Sequence, residues 1–133
     1  MIVVDTNLIA YLCITGTFTE QARRAYLRDP DWQVPILWRS EFRSVLSFYI
    51  RKRQISIEKA ADIMREALAL VEGKEYQVSS SEVFNLINES SCSAYDCEFI
   101  ALAKSLELKL VTSDKTVLKA FPEIAISLTE FAQ

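Results

Sequence analysis

Hydrophobic and polar positions follow each other along the chain in a pattern that predicts short buried strands between helices. The apolar residues Met1–Val4 end at a polar turn that begins with Asp5, and this predicts a strand followed by a turn. Further strands are predicted over Gln33–Leu37, Tyr76–Val78, Lys109–Thr112 and Glu123–Ile126. Within the second strand, Pro35 indicates either an edge strand or a strand end, because proline donates no hydrogen bond to a sheet.

Apolar residues at helical spacing, with start and stop signals around them, predict helices between these strands. The predicted helices are Leu8–Cys13, Phe18–Arg28, Ser40–Arg53, a long helix from Ser56 to Glu72, Ser81–Asn88, Ala94–Leu106 and Lys115–Ala120, followed by a terminal helical turn. Ser56 is expected to cap the long helix, and Gly73 is expected to end it. The buried stripe of this helix is expected to contain Ile57, Ala60, Ala61, Met64, Leu68 and Val71.

Strands that alternate with helices predict an α/β fold. We expect a three-layer α/β/α sandwich with a mostly parallel central sheet, because short apolar strands of this kind are covered by helices on both faces. A chain of 133 residues fits a single domain over residues 1–133.

The composition excludes several kinds of chemistry. The chain has no histidine, which removes Ser-His-Asp and Cys-His nucleophiles and the imidazole general base. Cys13, Cys92 and Cys97 form no C-x-x-C pair and are odd in number, so neither a zinc site nor a disulfide framework is supported. No signal peptide and no apolar run of the roughly 18–20 residues that a membrane span needs are present. We therefore expect free thiols in a reducing cytoplasm.

Four acidic residues are expected to meet at one edge of the sheet. Asp5 follows the first strand directly, and Asp114 lies two residues after the strand that ends at Thr112. Glu41 and Asp96 fall in the first turns of predicted helices, which begin at the same edge in this architecture. Clustered carboxylates suit Mg²⁺ or Mn²⁺, and such an ion could activate water and offset charge on a phosphate. With a net charge of −3, a broad basic surface for duplex DNA is not expected.

Each of these acids also has a purely structural explanation. Asp5 and Asp114 could cap the helices that follow them, and Glu41 could favour a helix dipole. The segment Ser93–Asp96 has the S-x-x-D form of a capping box. From the residues alone, the structural and the functional interpretation both stay open.

Four motifs in order resemble those of the PIN-domain family. They are I-V-V-D-T-N at Ile2–Asn7, R-S-E-F at Arg39–Phe42, S-A-Y-D-C-E-F-I-A-L-A at Ser93–Ala103 and V-T-S-D at Val111–Asp114. The set extends over nearly the whole chain and is most like the VapC toxin ribonucleases of type II toxin–antitoxin systems. The resemblance implies a metal-dependent endoribonuclease for single-stranded or structured RNA, with an antitoxin protein as partner, a homodimeric state and a cytoplasmic location.

The same resemblance implies roles for individual residues. Asp5, Glu41, Asp96 and Asp114 would be the catalytic acids that hold one or two Mg²⁺ or Mn²⁺ ions. Asn7 and Thr112 match polar positions that support the acids by hydrogen bonds. Arg39 and Arg43, on either side of Glu41, are candidates for contacts with RNA phosphates, although either could instead pair with a nearby acid.

Several other residues and two other protein families bear on this interpretation. Glu98 lies about 200° from Asp96 around a helix and is expected to be solvated. Trp32, Trp38 and Tyr49 are expected to pack in the core or at an interface rather than stack on bases. A HAD-type phosphatase would need an aspartate where Asn7 stands, and a receiver domain would need an acidic pair that is missing. A catalytically silent PIN-fold binding or scaffold module remains the alternative, although all four acids are present.

Overall fold

A five-stranded, entirely parallel sheet forms the centre of the protein in a computed structural model that describes residues 1–133. Its strands are β1 (Ile2–Val4), β2 (Trp32–Pro35), β3 (Glu75–Tyr76), β4 (Leu110–Thr112) and β5 (Ala125–Ser127), in the spatial order β3-β2-β1-β4-β5. The expected α/β sandwich is confirmed, and the sheet is wholly rather than mostly parallel.

Eight helices connect and cover the strands. They are α1 (Thr6–Cys13), α2 (Thr19–Arg28), α3 (Trp38–Arg51), α4 (Ile57–Leu70), α5 (Ser80–Glu89), α6 (Ala94–Leu106), α7 (Lys115–Ala120) and α8 (Leu128–Phe131). Right-handed crossovers place α1 to α4 on one face of the sheet and α5 to α7 on the other. The packing of α1 on α2, α3 and α4, and of α5 on α6, agrees with this arrangement. None of the eight helices has the length and apolar character that a membrane span requires.

The core is one continuous cluster of 30 buried residues. All residues of β1, β2 and β4 are buried, as expected for inner strands of a parallel sheet. Trp32 and Trp38 are fully buried in this cluster, which confirms their core role and excludes them as surfaces for stacking bases.

Two expectations about local structure need correction. β2 ends at Pro35, and a turn leads from there into α3, which begins at Trp38 rather than Ser40. Because β2 pairs with both β1 and β3, Pro35 marks a strand end and not an edge strand. Pro35 has no N–H to donate, but the pairing of β2 with β3 is kept because the next residue, Ile36, donates its N–H to the carbonyl of Tyr76.

The buried face of α4 also differs from the expected stripe. Ser56 caps this helix as predicted, and Gly73 beyond its end has φ of 75°. Of the expected stripe, Ala60 and Val71 are buried, and Met64 and Leu68 pack against the core. However, Ile63 and Ala67 are also buried, whereas Ile57 is 73% exposed and Ala61 is exposed. Because α4 packs against α1 and α3, these two neighbours decide which of its apolar residues face inward.

The strand order places a reversal point between β1 and β4. The chain winds from β1 outward to β2 and β3 and then returns to β4 and β5 on the other side. Helices therefore diverge to opposite faces where β1 and β4 end, which leaves a crevice outside their carboxyl ends. This is where open α/β sheets bind ligands.

Candidate active site

A cleft of about 300 Å³ opens at this crevice and contains all four acids singled out from the sequence. We call it the acidic cleft; it is lined by Asp5, Thr6, Asn7, Glu41, Ser44, Val45, Asp96, Phe99, Leu110, Thr112, Asp114 and Val117. The acids come from four different places in the fold: the end of β1, the first turn of α3, the first turn of α6 and the segment after β4. The structure thus brings together side chains that are up to about a hundred residues apart in sequence.

Asp5 is fixed by three hydrogen bonds from neighbouring backbone and side-chain groups. Its Oδ1 accepts a bond of 3.1 Å from the N–H of Leu8 and so caps α1. Its Oδ2 accepts from the hydroxyl of Thr112 at 2.5 Å and from the N–H of Ser113 at 3.3 Å. Burial raises the pKa of Asp5 to about 6, although these hydrogen bonds oppose the rise, and the charge of Glu41 adds to it.

Glu41 is held by a threonine that the sequence analysis did not single out. The buried hydroxyl of Thr6 donates a 2.7 Å hydrogen bond to Oε1 of Glu41. Burial raises the pKa of Glu41, the bond from Thr6 lowers it, and the charge of Asp96 raises it further. The sequence contained one signal for this contact. Thr6 carries a hydroxyl and directly follows Asp5, which was already expected to lie at the site.

Asp96 reaches the cleft because α6 begins at a well-defined cap. The hydroxyl of Ser93 accepts a 3.0 Å bond from the N–H of Asp96, and Cys92 and Cys97 are buried on either side of the cap. This arrangement of a capping serine between two apolar side chains fixes the direction in which a helix enters. Burial and then the charge of Asp114 raise the pKa of Asp96, while hydrogen bonds with Ser93 oppose the rise.

Asp114 caps α7 and is linked to Asp5 through Thr112. Its Oδ1 accepts hydrogen bonds of 2.8 Å and 3.1 Å from the N–H groups of Thr116 and Val117. Its own N–H donates to the hydroxyl of Thr112 at 3.0 Å, and that hydroxyl in turn donates to Asp5. The capping bonds occupy one oxygen of Asp114, so capping a helix and offering a ligand to the cleft are compatible roles for this residue.

No basic side chain neutralises the four acids. The ion pairs of the protein involve other acidic groups throughout. The charges of Glu41, Asp96 and Asp114 each raise the pKa of a neighbouring acid in the cleft. An oxygen-only set of mutually repelling carboxylates is the chemistry that a hard divalent cation satisfies.

No three of the acidic or cysteine side chains stand in an arrangement that could hold one metal ion together. Mg²⁺ commonly keeps several waters and binds through only one or two carboxylates, so it needs no complete protein cage. Oε2 of Glu41 and Oδ2 of Asp114 accept no hydrogen bond from the protein, and Oδ1 of Asp5 accepts only one. These oxygens can therefore serve as metal ligands. The residues of the acidic cleft therefore fit a divalent ion in donor type and in charge.

Asn7 and the two candidate arginines have different environments. Asn7 is exposed at the cleft, and its side chain makes no hydrogen bond to any of the acids. Arg39 does not line the cleft; its guanidinium makes two 2.7 Å bonds to Glu75, which also accepts from the indole of Trp38. Arg43 is exposed and makes no ion pair. Arg39 is thus paired with Glu75 outside the acidic cleft, whereas Arg43 is exposed to solvent.

Glu98 is half-buried rather than solvated. Burial raises the pKa of Glu98, and the charge of Glu41 raises it further, although Glu98 does not line the acidic cleft. The angle of about 200° between Glu98 and Asp96 correctly places them on different sides of α6. It could not show that Glu98 is near Glu41, because Glu41 lies on a different helix. The sequence analysis was therefore wrong about its environment.

The cysteines do not offer a reactive thiolate. All three are free thiols. Burial raises the pKa of Cys13 to about 11, and burial also raises the pKa of Cys92 and of Cys97. Thiols held in the protonated form are poor nucleophiles. The carboxylates are therefore the candidate catalytic groups at this edge of the sheet.

Comparison with known proteins places these features in a family. The sequence matches the PIN domain family over residues 2–124. It is 25% identical over 126 residues to the protein named Ribonuclease VapC3 of Pyrobaculum aerophilum, a match that covers 92% of this chain and 96% of that relative.

Two solved structures share the architecture. FitAcB from Neisseria gonorrhoeae superposes with a TM-score of 0.75 at 17% identity, covering 97% of this chain and 99% of that one. PAE2754 from Pyrobaculum aerophilum superposes with a TM-score of 0.67 at 18% identity, covering 98% and 92%. At these identities the likeness establishes the fold.

Proposed function

The chain belongs to the PIN domain family, and from this we propose that it is a metal-dependent endoribonuclease that hydrolyses phosphodiester bonds of single-stranded or structured RNA. The observation that carries the proposal is the convergence of Asp5, Glu41, Asp96 and Asp114 on one cleft without a basic partner. The similarity to a ribonuclease along nearly the full length of both chains supports the reaction class.

The four carboxylates would hold one or two Mg²⁺ or Mn²⁺ ions. Such an ion lowers the pKa of water and offsets the negative charge of a phosphate, which is the chemistry that a site without histidine lacks. The protein's own part is to fix the carboxylates. Thr112, Ser113 and Leu8 restrict Asp5 to one orientation, and Thr6 restricts Glu41. Groups that are ordered before substrate arrives need no reorganisation during the reaction.

Cleavage of single-stranded RNA in Mg²⁺ or Mn²⁺ tests this proposal. Asp5→Asn removes the carboxylate that three hydrogen bonds hold in the cleft and is expected to abolish cleavage. Glu82→Gln changes an exposed acid on α5 and should cleave as the wild type does. Equal rates for wild type and Asp5→Asn would contradict the metal-site proposal. Absence of cleavage by the wild type would leave a silent binding or scaffold module. Sequencing of RNA ends after controlled expression, with Asp5→Asn as control, would identify the target.

We further propose that the protein is the toxin of a toxin–antitoxin pair, acts in the cytoplasm and forms a homodimer. The likeness to a VapC ribonuclease supports the first statement, and the three free thiols suit a reducing compartment. A short protein encoded beside this one should copurify with it and inhibit cleavage. Absence of such an inhibitor would contradict toxin status without affecting the nuclease proposal, and light scattering of the purified protein would test the dimer.

A further inference from the structure

A second groove lies beside the acidic cleft. Its volume is about 280 Å³, and it lies between α1, α3 and the loop that joins α1 to α2. We call it the aromatic groove; it is lined by Asn7, Ala10, Tyr11, Ile14, Thr15, Gly16, Thr17, Phe18, Thr19, Val45 and Tyr49. Asn7 and Val45 line both spaces, so the aromatic groove adjoins the acidic cleft.

Three aromatic rings form the walls of this groove. Tyr11 and Phe18 lie with ring centroids 4.9 Å apart and planes at 40°, and Tyr49 contributes the third ring from α3. Phe18 is 46% exposed, which leaves a large apolar ring surface in contact with solvent. The hydroxyl of neither tyrosine makes a hydrogen bond within the protein.

The loop that carries Phe18 is held in place by Thr19. The buried hydroxyl of Thr19 donates to the carbonyl of Tyr11 at 2.6 Å and accepts from the N–H of Gly16 at 2.9 Å. These bonds tie the loop to the end of α1. The exposed ring of Phe18 is therefore presented by an ordered loop, and the groove is largely formed before any ligand binds.

The charge of the groove differs from that of the cleft beside it. None of its lining residues is charged, whereas the acidic cleft contains four carboxylates. A phosphate would find no cation in the aromatic groove, but a neutral planar group would find rings to stack on. The exposed amide of Asn7 and the hydroxyls of Thr15 and Thr17 offer donors and acceptors for the edge of such a group.

The spacing also suits a nucleic acid strand. Glu41, Val45 and Tyr49 follow each other at intervals of four residues on α3, and the eight-residue separation between Glu41 and Tyr49 spans about 12 Å along the helix. Successive stacked bases of one strand are about 3.4 Å apart, so Tyr49 lies roughly three nucleotides from Glu41 along a stacked strand.

We propose that the aromatic groove binds a nucleobase of the RNA substrate, within about three nucleotides of the bond at the acidic cleft. The proposal rests on the proposed ribonuclease function. Phe18 and Tyr49 stack on the base, Tyr11 supports the ring of Phe18, and Asn7 contacts the edge of the base. The groove would thus anchor the RNA strand a few nucleotides from the cleavage site.

Binding of short single-stranded RNA that carries one fluorescent aminopurine, moved stepwise along the strand, tests the proposal. The measurement is made in Mg²⁺ with Asp96→Asn protein, so that turnover does not interfere. Phe18→Leu and Tyr49→Leu remove a ring but keep apolar bulk, Tyr49→Phe keeps the ring, and Phe84→Leu alters an exposed phenylalanine on the opposite face of the sheet.

We expect strong quenching at one position of the strand and weaker binding by roughly 5-fold to 100-fold in each Leu variant of the groove. Phe84→Leu should bind as the parent does, and Tyr49→Phe, which keeps the ring, should lose less affinity than Tyr49→Leu. An abasic nucleotide at the quenched position should cause a similar loss, and that loss should not add to the loss in Tyr49→Leu.

Unchanged affinity in Phe18→Leu and Tyr49→Leu, or equal losses on intact and abasic RNA, would overturn the proposal and leave the groove as a surface for a protein partner. Phe18→Leu and Tyr49→Leu are each compared with the parent, so either variant decides the matter if the other fails to fold. Absence of any quenched position in the Asp96→Asn parent would also overturn the proposal. Failure of the ribonuclease proposal is a separate result, because it appears as absence of cleavage by the wild type.

Discussion

The hydroxyl of Thr112 donates a 2.5 Å hydrogen bond to Oδ2 of Asp5, although the two residues are 107 positions apart in the chain. The same hydroxyl accepts from the backbone N–H of Asp114 at 3.0 Å. One buried side chain therefore connects the acid after β1 with the acid after β4, at the point where the winding of the sheet reverses. The relative positions of Asp5 and Asp114 in the acidic cleft therefore depend on Thr112.

Thr112→Val is expected to impair the cleft more than its small change in shape suggests. Valine removes a donor to Asp5 and an acceptor for Asp114, and groups that orient metal ligands typically affect metal affinity or activity by about 10- to 100-fold. RNA cleavage and Mn²⁺ titration measure the effect. Thr112→Ser keeps the hydroxyl and should retain most of the activity. Equal activity of the Val and Ser variants would show that this hydrogen bond has no role.

Thr6→Val is expected to release Glu41 without disturbing Asp5. The 2.7 Å bond from Thr6 is the only side-chain hydrogen bond that Glu41 accepts, so its carboxylate should become more mobile and its pKa should rise further. Cleavage should fall, and the pH at which activity reaches half its maximum should move upward. Thr6→Ser is the matched control. A pH profile identical to that of the wild type would contradict the assigned role of Thr6.

Stability without divalent cations is expected to fall as the pH rises through the range from about 4 to about 7. The pKa of Asp5 is raised from 3.8 to about 6 in the folded protein, so the folded state binds a proton more tightly than the unfolded chain does. Its protonation stabilises the fold below the unfolded value, and that contribution is lost as the pH passes the folded value.

Thermal unfolding in a chelator, near pH 5 and near pH 7.5, measures this effect, and Mn²⁺ should reverse the loss at the higher pH because it binds only the folded state. Glu41 and Asp96, whose pKa values are also raised, act in the same direction. Asp29 and Glu75 have lowered pKa values and contribute the opposite dependence at more acidic pH. A melting temperature that rises steadily with pH up to neutrality in the chelator would contradict the prediction.

Substitutions of Arg39 and Arg43 are expected to have different effects, because Arg39 has a structural role and Arg43 is a candidate for RNA binding. Arg39 is bonded to Glu75 through two nitrogens, so Arg39→Ala should lower the melting temperature, and Glu75→Gln should do the same. Arg43 makes no ion pair, so Arg43→Ala should leave the melting temperature unchanged. If Arg43 contacts a phosphate, this variant should also weaken RNA binding more at low salt than at high salt. An affinity and a salt dependence equal to those of the wild type would remove Arg43 from the RNA contacts.

Much of the local structure was predictable from short-range signals. The bounds of α6 and α7 agree with the prediction because Ser93 and Asp114 cap these helices through bonds to residues two or three positions later. Ser56 defines the start of α4 in the same way. Where no such signal exists, the prediction failed, as in the rotation of α4 that buries Ile63 and exposes Ile57. The pattern of one helix cannot show which neighbours will cover it.

The sequence by itself determined the fold class, the four acids and the edge of the sheet at which they meet, because strand ends and helix starts are set by interactions within a few residues. Only the tertiary structure decided that Thr6 binds Glu41, that Arg39 is engaged by Glu75, and that Glu98 lies within the electrostatic influence of Glu41. Each of these pairs joins two different elements of the fold. Their contacts depend on how helices and strands are placed and rotated against one another, and that is fixed by the packing of the whole core.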